Sequence, residues 1–320
     1  MGMKGFVEGG IAAVVAGCTT HPLDLIKVRM QLQGETVRYA PRAVRGALDA
    51  ATGVASLPRH PALRTPPRPG PIALVAQILR TEGPAALFSG VSATMLRQTL
   101  YSTTRMGLYD VLKKKWSPSG DGAALPVHLQ VAAALVAGAV GAAVGNPADM
   151  AMVRMQADGQ LPLAERRNYR SVIDAIARTV RQEGLRSLWR GSSLTVNRAM
   201  IVTASQLVTY DQAKEAILQR RGAGSDGLGT HVAASLTAGL VASAASNPVD
   251  VVKTRVMNMK VEPGRPPRYS GATDCALKTV RAEGFMALYK GFIPTLSRQG
   301  PFTIVLFVTL EQVRKLLKDF

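Results

Sequence analysis

The sequence is poor in aromatic residues, at 5%, and holds only two cysteines, Cys18 and Cys275. Two isolated thiols, neither in a ligand or redox spacing, argue against a disulfide framework and fit a reducing compartment. Acidic residues are scarce, 21 Asp and Glu against 39 Lys and Arg, so the formal charge is +18. No apolar run reaches 18 residues, which excludes a simple bundle of uniformly lipid-facing helices. Zinc spacing, an aromatic RNA-binding signature and a basic helix with heptads are all missing, so nucleic acid is not the expected partner. His21, His60, His128 and His231 have no recognisable nucleophile or metal partner. The chain is expected to be no enzyme and to need no cofactor or metal. Its first residues, MGMKGFVEGGIAAVVAGCTTHP, lack the character of a transit peptide or secretory signal, so they are expected in the mature chain.

What is abundant is small and apolar. Hydrophobic content is 47%, mostly Ala, Val and Leu with many glycines. That composition suits helices in close approach within lipid. A bundle around a wet cavity lets each helix keep a polar face; a soluble helical protein is the competing reading.

Internal repetition is the strongest signal. HPLDLIKVRM begins at His21, NPADMAMVRM at Asn146 and NPVDVVKTRV at Asn247. Each ends a Gly/Ala/Val-rich helix, expected over 5–33, 126–157 and 229–259. About 28 residues at helical rise span about 42 Å, enough to cross a bilayer. Pro22, Pro147 and Pro248 are expected to kink these helices, each removing a hydrogen bond. A second echo follows: EGPAALFSG from Glu82, EGLRSLWRG from Glu183 and EGFMALYKG from Glu283. The prolines precede these glutamates by 60, 36 and 35 residues, so repeat 1 carries an insert within 34–70, expected to be an extended Pro-rich loop. A short amphipathic helix precedes each Glu-Gly, and the glycine is a plausible C-cap. A second long helix closes each repeat with a third echo: YDVLKKK from Tyr109, YDQAKEA from Tyr210 and LEQVRKL from Leu310.

The pattern gives an all-α membrane protein: six transmembrane helices in three repeats (1–115, 116–218 and 219–320) around a central cavity, with three short amphipathic helices. The long loops 34–89, 158–186 and 260–287 hold 7, 6 and 5 Lys/Arg, whereas the linkers 115–125 and 219–228 hold three. By the positive-inside tendency the long loops face the negatively polarised compartment and both termini face away.

Thirteen residues before each acid of the third echo stands an arginine: Arg97, Arg198 and Arg298. All lie on the even helices at one symmetric level, without an acid at i±3 or i±4. A cation at mid-membrane must face water or a counter-ion. Three converging guanidinium groups invite an anion, whose carboxylate or phosphate oxygens fit their forks. Arg105 lies two turns along roughly the same face as Arg97, and Gln98 and Gln299 are expected to add hydrogen bonds.

Three copies of Pro-X-Asp-X-X-Lys/Met-X-Arg, each followed by Glu-Gly-X4-aromatic-X-Gly, resemble the mitochondrial carrier family over almost the whole chain. Within it, NPADMAMVRMQADG, SSLTVNRAM and RQTLYSTTRMGLYD most resemble the plant dicarboxylate carriers, a subgroup also labelled uncoupling-protein-like. The resemblance implies an inner-membrane bundle that alternates access to a central anion site. It implies a matrix gate coupling Asp149 to Lys253 and Asp250 to Lys27, with Asp24 facing Met152 where a base is expected. Gln31 and Gln156 match the family's bracing glutamines, and Met257 does not. It implies a cytosolic gate in which Asp110, Asp211 and Glu311 pair around a ring with Lys113, Lys214 and Arg314. It places substrate on Arg97, Arg198 and Arg298, and cardiolipin at Trp189-Arg190-Gly191 and Tyr289-Lys290-Gly291.

The expected activity is exchange of malate, succinate or oxaloacetate with one another or with phosphate or sulfate. Expected partners are these dianions and membrane lipid, and one chain is expected to act alone. A proton or fatty-acid-anion leak on the same fold is the alternative. A soluble helical-repeat scaffold is a distant one.

Overall fold

A computed structural model of the chain describes residues 3–35, 69–116, 126–161, 165–221, 228–261 and 267–318. Every regular element among them is helical. Repeat 1 holds α1 (Met3–Thr19), α2 (His21–Leu32), the amphipathic α3 (Pro71–Thr81) and the long α4 (Val91–Trp116). Repeat 2 holds α5 (Val127–Asp158), α6 (Val172–Glu183) and α7 (Ser192–Arg221). Repeat 3 holds α8 (Leu228–Asn258), α9 (Ala272–Glu283) and α10 (Phe292–Lys318). The α1/α2 pair, α5 and α8 are the three odd spans; α4, α7 and α10 are the even ones. Most of the 34–70 insert falls outside the described residues; its two ends meet where Gln33 Nε2 donates to Pro69 O at 3.3 Å.

Two spans, Leu129–Asp158 and Thr230–Asn258, are apolar enough to cross a membrane by hydropathy alone. The bent α1/α2 pair makes a third. The even helices are long enough, at 26, 30 and 27 residues, but each carries an arginine and a charged end that lower its hydropathy. Leu135, Val140, Leu236, Leu240, Ile304 and Phe307 stand exposed on three helices, a lipid-facing surface that water would not favour.

The three prolines do not act alike. Pro147 and Pro248 lie inside continuous helices, whereas repeat 1 breaks at Thr20 with a bend of 59°. The sequence context explains the difference. Thr19 and Thr20 donate from their hydroxyls to the carbonyls of Val15 and Ala16, at 2.9 and 2.8 Å, and such back-bonding bends helices. Repeats 2 and 3 have Val144-Gly145 and Ala245-Ser246 there instead. Asn146 and Asn247 donate to the carbonyls of Leu188 and Leu288, at 2.7 and 2.8 Å. In repeat 1 His21 takes this role, its Nε2 lying 2.9 Å from Ser89 O.

At the proline end the odd helices converge: α2, α5 and α8 pack on one another there, whereas α1 packs on α4 and α10. A ring of buried arginines closes this end. Arg29, Arg154 and Arg255, each 1% exposed, pair with Glu82, Glu183 and Glu283 of their own repeats, at 2.6, 2.8 and 2.6 Å. Each also donates from Nε to a carbonyl of the next repeat: Gln156, Met257 and Gln31. Gly90, Gly191 and Gly291, at φ of +89°, +85° and +82°, then bring the even helices against those neighbours. A Cβ on Gly291 would lie 3.1 Å from both Lys27 O and Gln31 Cγ, so a side chain there forces the repeats apart.

Breaking one member of a buried pair leaves an uncompensated charge, at about 3–5 kcal/mol. Arg29→Met, whose partner Glu82 has this one cation, is expected to lower the unfolding temperature of the detergent-purified protein. Adding Glu82→Gln to that variant should restore most of the loss, which a thermal-unfolding cycle will read.

Candidate functional site

Where the odd helices meet, the structure gathers eight charged side chains. Asp149 of α5 holds Lys253 of α8 at 2.9 Å and Arg97 of α4 in a second ion pair. Asp250 of α8 holds Lys27 of α2 at 2.7 Å and Arg198 of α7. Asp24 of α2 lies 2.9 Å from Arg298 of α10. Each arginine therefore reaches from an even helix to the acid of the next odd helix. The expectation of cations without a partner is corrected here: local spacing shows only acids on the same helix, and these acids come from a neighbouring repeat.

The carboxylates are 5–11% exposed, while Arg97, Arg198 and Arg298 keep 29, 37 and 27% of their side-chain surface. Five cations meet three carboxylates in this cluster, so its net charge is +2. Guanidinium groups that stay partly open can exchange a protein carboxylate for one from solution.

The surrounding residues separate into two kinds. Gln98 accepts from Arg97 Nη1 at 3.3 Å and donates to Ala13 O at 3.3 Å, orienting the arginine against α1. Gln299 donates to Ser243 Oγ at 2.9 Å and ties α10 to α8. Arg105 stacks over the Tyr101 ring at 5.9 Å. Gln31 accepts from Thr254 at 2.7 Å. Gln156, its counterpart, is fully buried with no partner for its amide.

At the other end two members of the expected ring pair elsewhere. Glu311 pairs with Lys315 at 2.9 Å on its own helix, and Arg314 of α10 with Glu8 of α1 at 3.1 Å. Tyr210 of α7 turns its hydroxyl to His231 Nδ1 of α8 at 2.6 Å. Asp211, Lys113 and Glu311 are exposed. An exposed i,i+4 pair such as Glu311–Lys315 is worth only a few tenths of a kcal/mol.

Sequence reasoning listed Arg190 and Lys290 as lipid contacts. Both turn inward: Arg190 pairs with Glu183 at 2.8 Å and Lys290 with Glu283. Trp189 donates to Ala143 O at 3.1 Å and is 43% exposed. The buried Arg–Glu ring was missed altogether. Its signal was present, since a base and an acid recur in register in all three repeats.

These glutamates have a pH signature. Burial alone would raise the carboxyl of Glu183, but hydrogen bonds and charges from Arg154 and Arg190 outweigh it and hold it below the ordinary range. Glu283 is held down likewise by Arg255 and Lys290. Burial also pushes the Cys275 thiol up to about 12, so it is inert at neutral pH.

The family model described as "Mitochondrial carrier protein" matches residues 2–119, 124–221 and 224–320. The chain belongs to the mitochondrial carrier family. Its members are transporters, not enzymes, so the soluble scaffold reading falls. "Mitochondrial uncoupling protein 5" of Arabidopsis thaliana is 64% identical over 321 residues, covering 100% of this chain and 99% of the relative. "Mitochondrial uncoupling protein 4" of the same plant is 64% identical over 325 residues, covering all of both. "Mitochondrial 2-oxoglutarate/malate carrier protein" of Bos taurus is 41% identical over 313 residues, covering 98% of this chain and 90% of the relative. By name, these relatives favour the uncoupling reading over dicarboxylate exchange.

A carboxyl held low in the folded state stabilises it fully above the pH where the unfolded group titrates, near 4.5 for glutamate, and loses that contribution as pH falls through the folded value. Stability in detergent is therefore expected to be flat near neutrality and to fall below about 4.5. Glu183→Gln should flatten part of that acid limb while lowering stability at pH 7.

Proposed function

We propose that this carrier exchanges small dicarboxylates, such as malate, succinate or oxaloacetate, with one another or with inorganic dianions. The exchange takes place across the mitochondrial inner membrane, with the termini toward the intermembrane space. The observation that carries this reading is the net charge of +2 in the central cluster, where Arg97, Arg198 and Arg298 stay partly exposed. One dianion neutralises it. Its carboxylates take over arginines that a gate acid holds in the empty protein, so binding loosens the matrix gate (Asp24, Asp149 and Asp250 with Lys27 and Lys253). That is the differential affinity alternating access requires. The cytosolic gate (Asp110, Lys113, Asp211, Lys214, Glu311 and Arg314) closes once the helices swing together at that end. Cardiolipin phosphates sit on the amides at Gly191 and Gly291, and one chain suffices.

The second reading is an uncoupling-type leak, in which the same arginines take a fatty-acid carboxylate or the site passes protons. The names of the relatives at 59–64% identity support it better than they support exchange. The two readings part in proteoliposomes loaded with malate, phosphate or buffer alone, with labelled malate uptake and proton flux followed together. Exchange predicts uptake only against an internal dianion, falling by about 10- to 100-fold in Arg198→Ala, as expected when a hydrogen bond to a charged group is lost. Proton flux without malate counter-exchange would leave the uncoupling reading standing.

A further inference from the structure

The central cluster breaks threefold order at one residue. Asp149 and Asp250 each hold a lysine and an arginine. Repeat 2 carries Met152 in the register of Lys27 and Lys253, and among the described residues the ion pair of Asp24 is with Arg298. Thr94 Oγ1 lies 3.3 Å from Met152 Sδ, so the thioether faces a hydroxyl.

Arg298 is an imperfect replacement. Its Nε lies 2.9 Å from Asp24 Oδ1, yet the N–H points at no acceptor. Its guanidinium lies 5.1 Å over the Phe302 ring. The side chain is 27% exposed, against 12 and 15% for Lys27 and Lys253.

We propose that Arg298 serves both as a substrate contact and as the third cation of the matrix gate. A substrate carboxylate that captures Arg97 or Arg198 leaves a lysine on Asp149 or Asp250. One that captures Arg298 leaves Asp24 without an ion pair among the described residues. Arg298 is thus the point where substrate binding removes a whole gate link in one step, and Met152 makes it so. This inference rests on the anion-carrier reading above and adds to it which arginine triggers opening.

The test is Met152→Lys, alone and combined with Asp24→Asn. A lysine at 152 gives Asp24 the missing partner and releases Arg298. In detergent, Met152→Lys is expected to be more stable with Asp24 present than with Asn at 24, a non-additive cycle in unfolding temperature. In proteoliposomes its KM for malate should fall, because Arg298 is free, and its kcat should fall by about fivefold, as one added ion pair in the gate would give. Both kinetic effects should vanish in the double variant. Equal effects with and without Asp24 would overturn the proposal. If Met152→Lys does not fold, Asp24→Asn alone decides: a lower KM for malate supports the proposal, and an unchanged or higher one overturns it. Failure of the transport reading looks different, because the stability cycle stays non-additive while the unaltered protein takes up no malate.

Discussion

The fold's working end depends on a guanidinium group that cannot be left alone. Arg29, Arg154 and Arg255 lie at the ends of the odd spans, almost wholly out of water. A buried charge at such a place must be paired and hydrogen-bonded on every side. That requirement dictates the rest of the layer. An acid must come from the amphipathic helix of the same repeat, so α3, α6 and α9 are drawn under the bundle. A carbonyl must come from the next repeat, so the three repeats are drawn into a closed ring. Thr179 and Thr279 add a hydrogen bond to Arg154 and Arg255, and Arg255 Nη2 is left without a partner.

The central cluster obeys the opposite rule. Its carboxylates are buried, but its arginines are not, and each acid has partners it can lose. Partly solvated ion pairs are weak, and weakness is what a switch between two states needs. One end of the molecule is therefore built from pairs too costly to break, and the centre from pairs that break readily.

Much of the fold was readable because three copies of one pattern constrain each other. Six long helices and three short ones followed from the echoes of Pro22, Glu82 and Tyr109. The Lys27–Asp250 and Lys253–Asp149 pairs, and the gap at Met152, are what the resemblance to the carrier family implies. What the sequence hid were other contacts between repeats. Nothing within four residues of Arg97 tells that Asp149 reaches it from the next repeat. Arg190 and Lys290 carry no sign of which way they turn, and both turn inward. The break at Thr20 required weighing two threonine hydroxyls against Val144-Gly145 and Ala245-Ser246 in the same register. The state of the far end was also hidden, since the same charges serve a closed ring or an open mouth.

The departures from threefold order fall together, and this has a mechanical consequence. Glu82 has Arg29 as its cation and is 14% exposed, whereas Glu183 and Glu283 have two each and are 2 and 4% exposed. Ser89 stands where the other repeats have Arg190 and Lys290. Met152 removes the lysine–aspartate bond between α2 and α5, while the other two seams keep theirs and the repeat 3–repeat 1 seam adds Glu35 with Arg268 at 3.0 Å. Among the described residues, the seam between repeats 1 and 2 thus has the fewest ion pairs. A ring with one weak seam and two strong ones costs least to open like a door, with the strong seams as hinges, rather than like an iris.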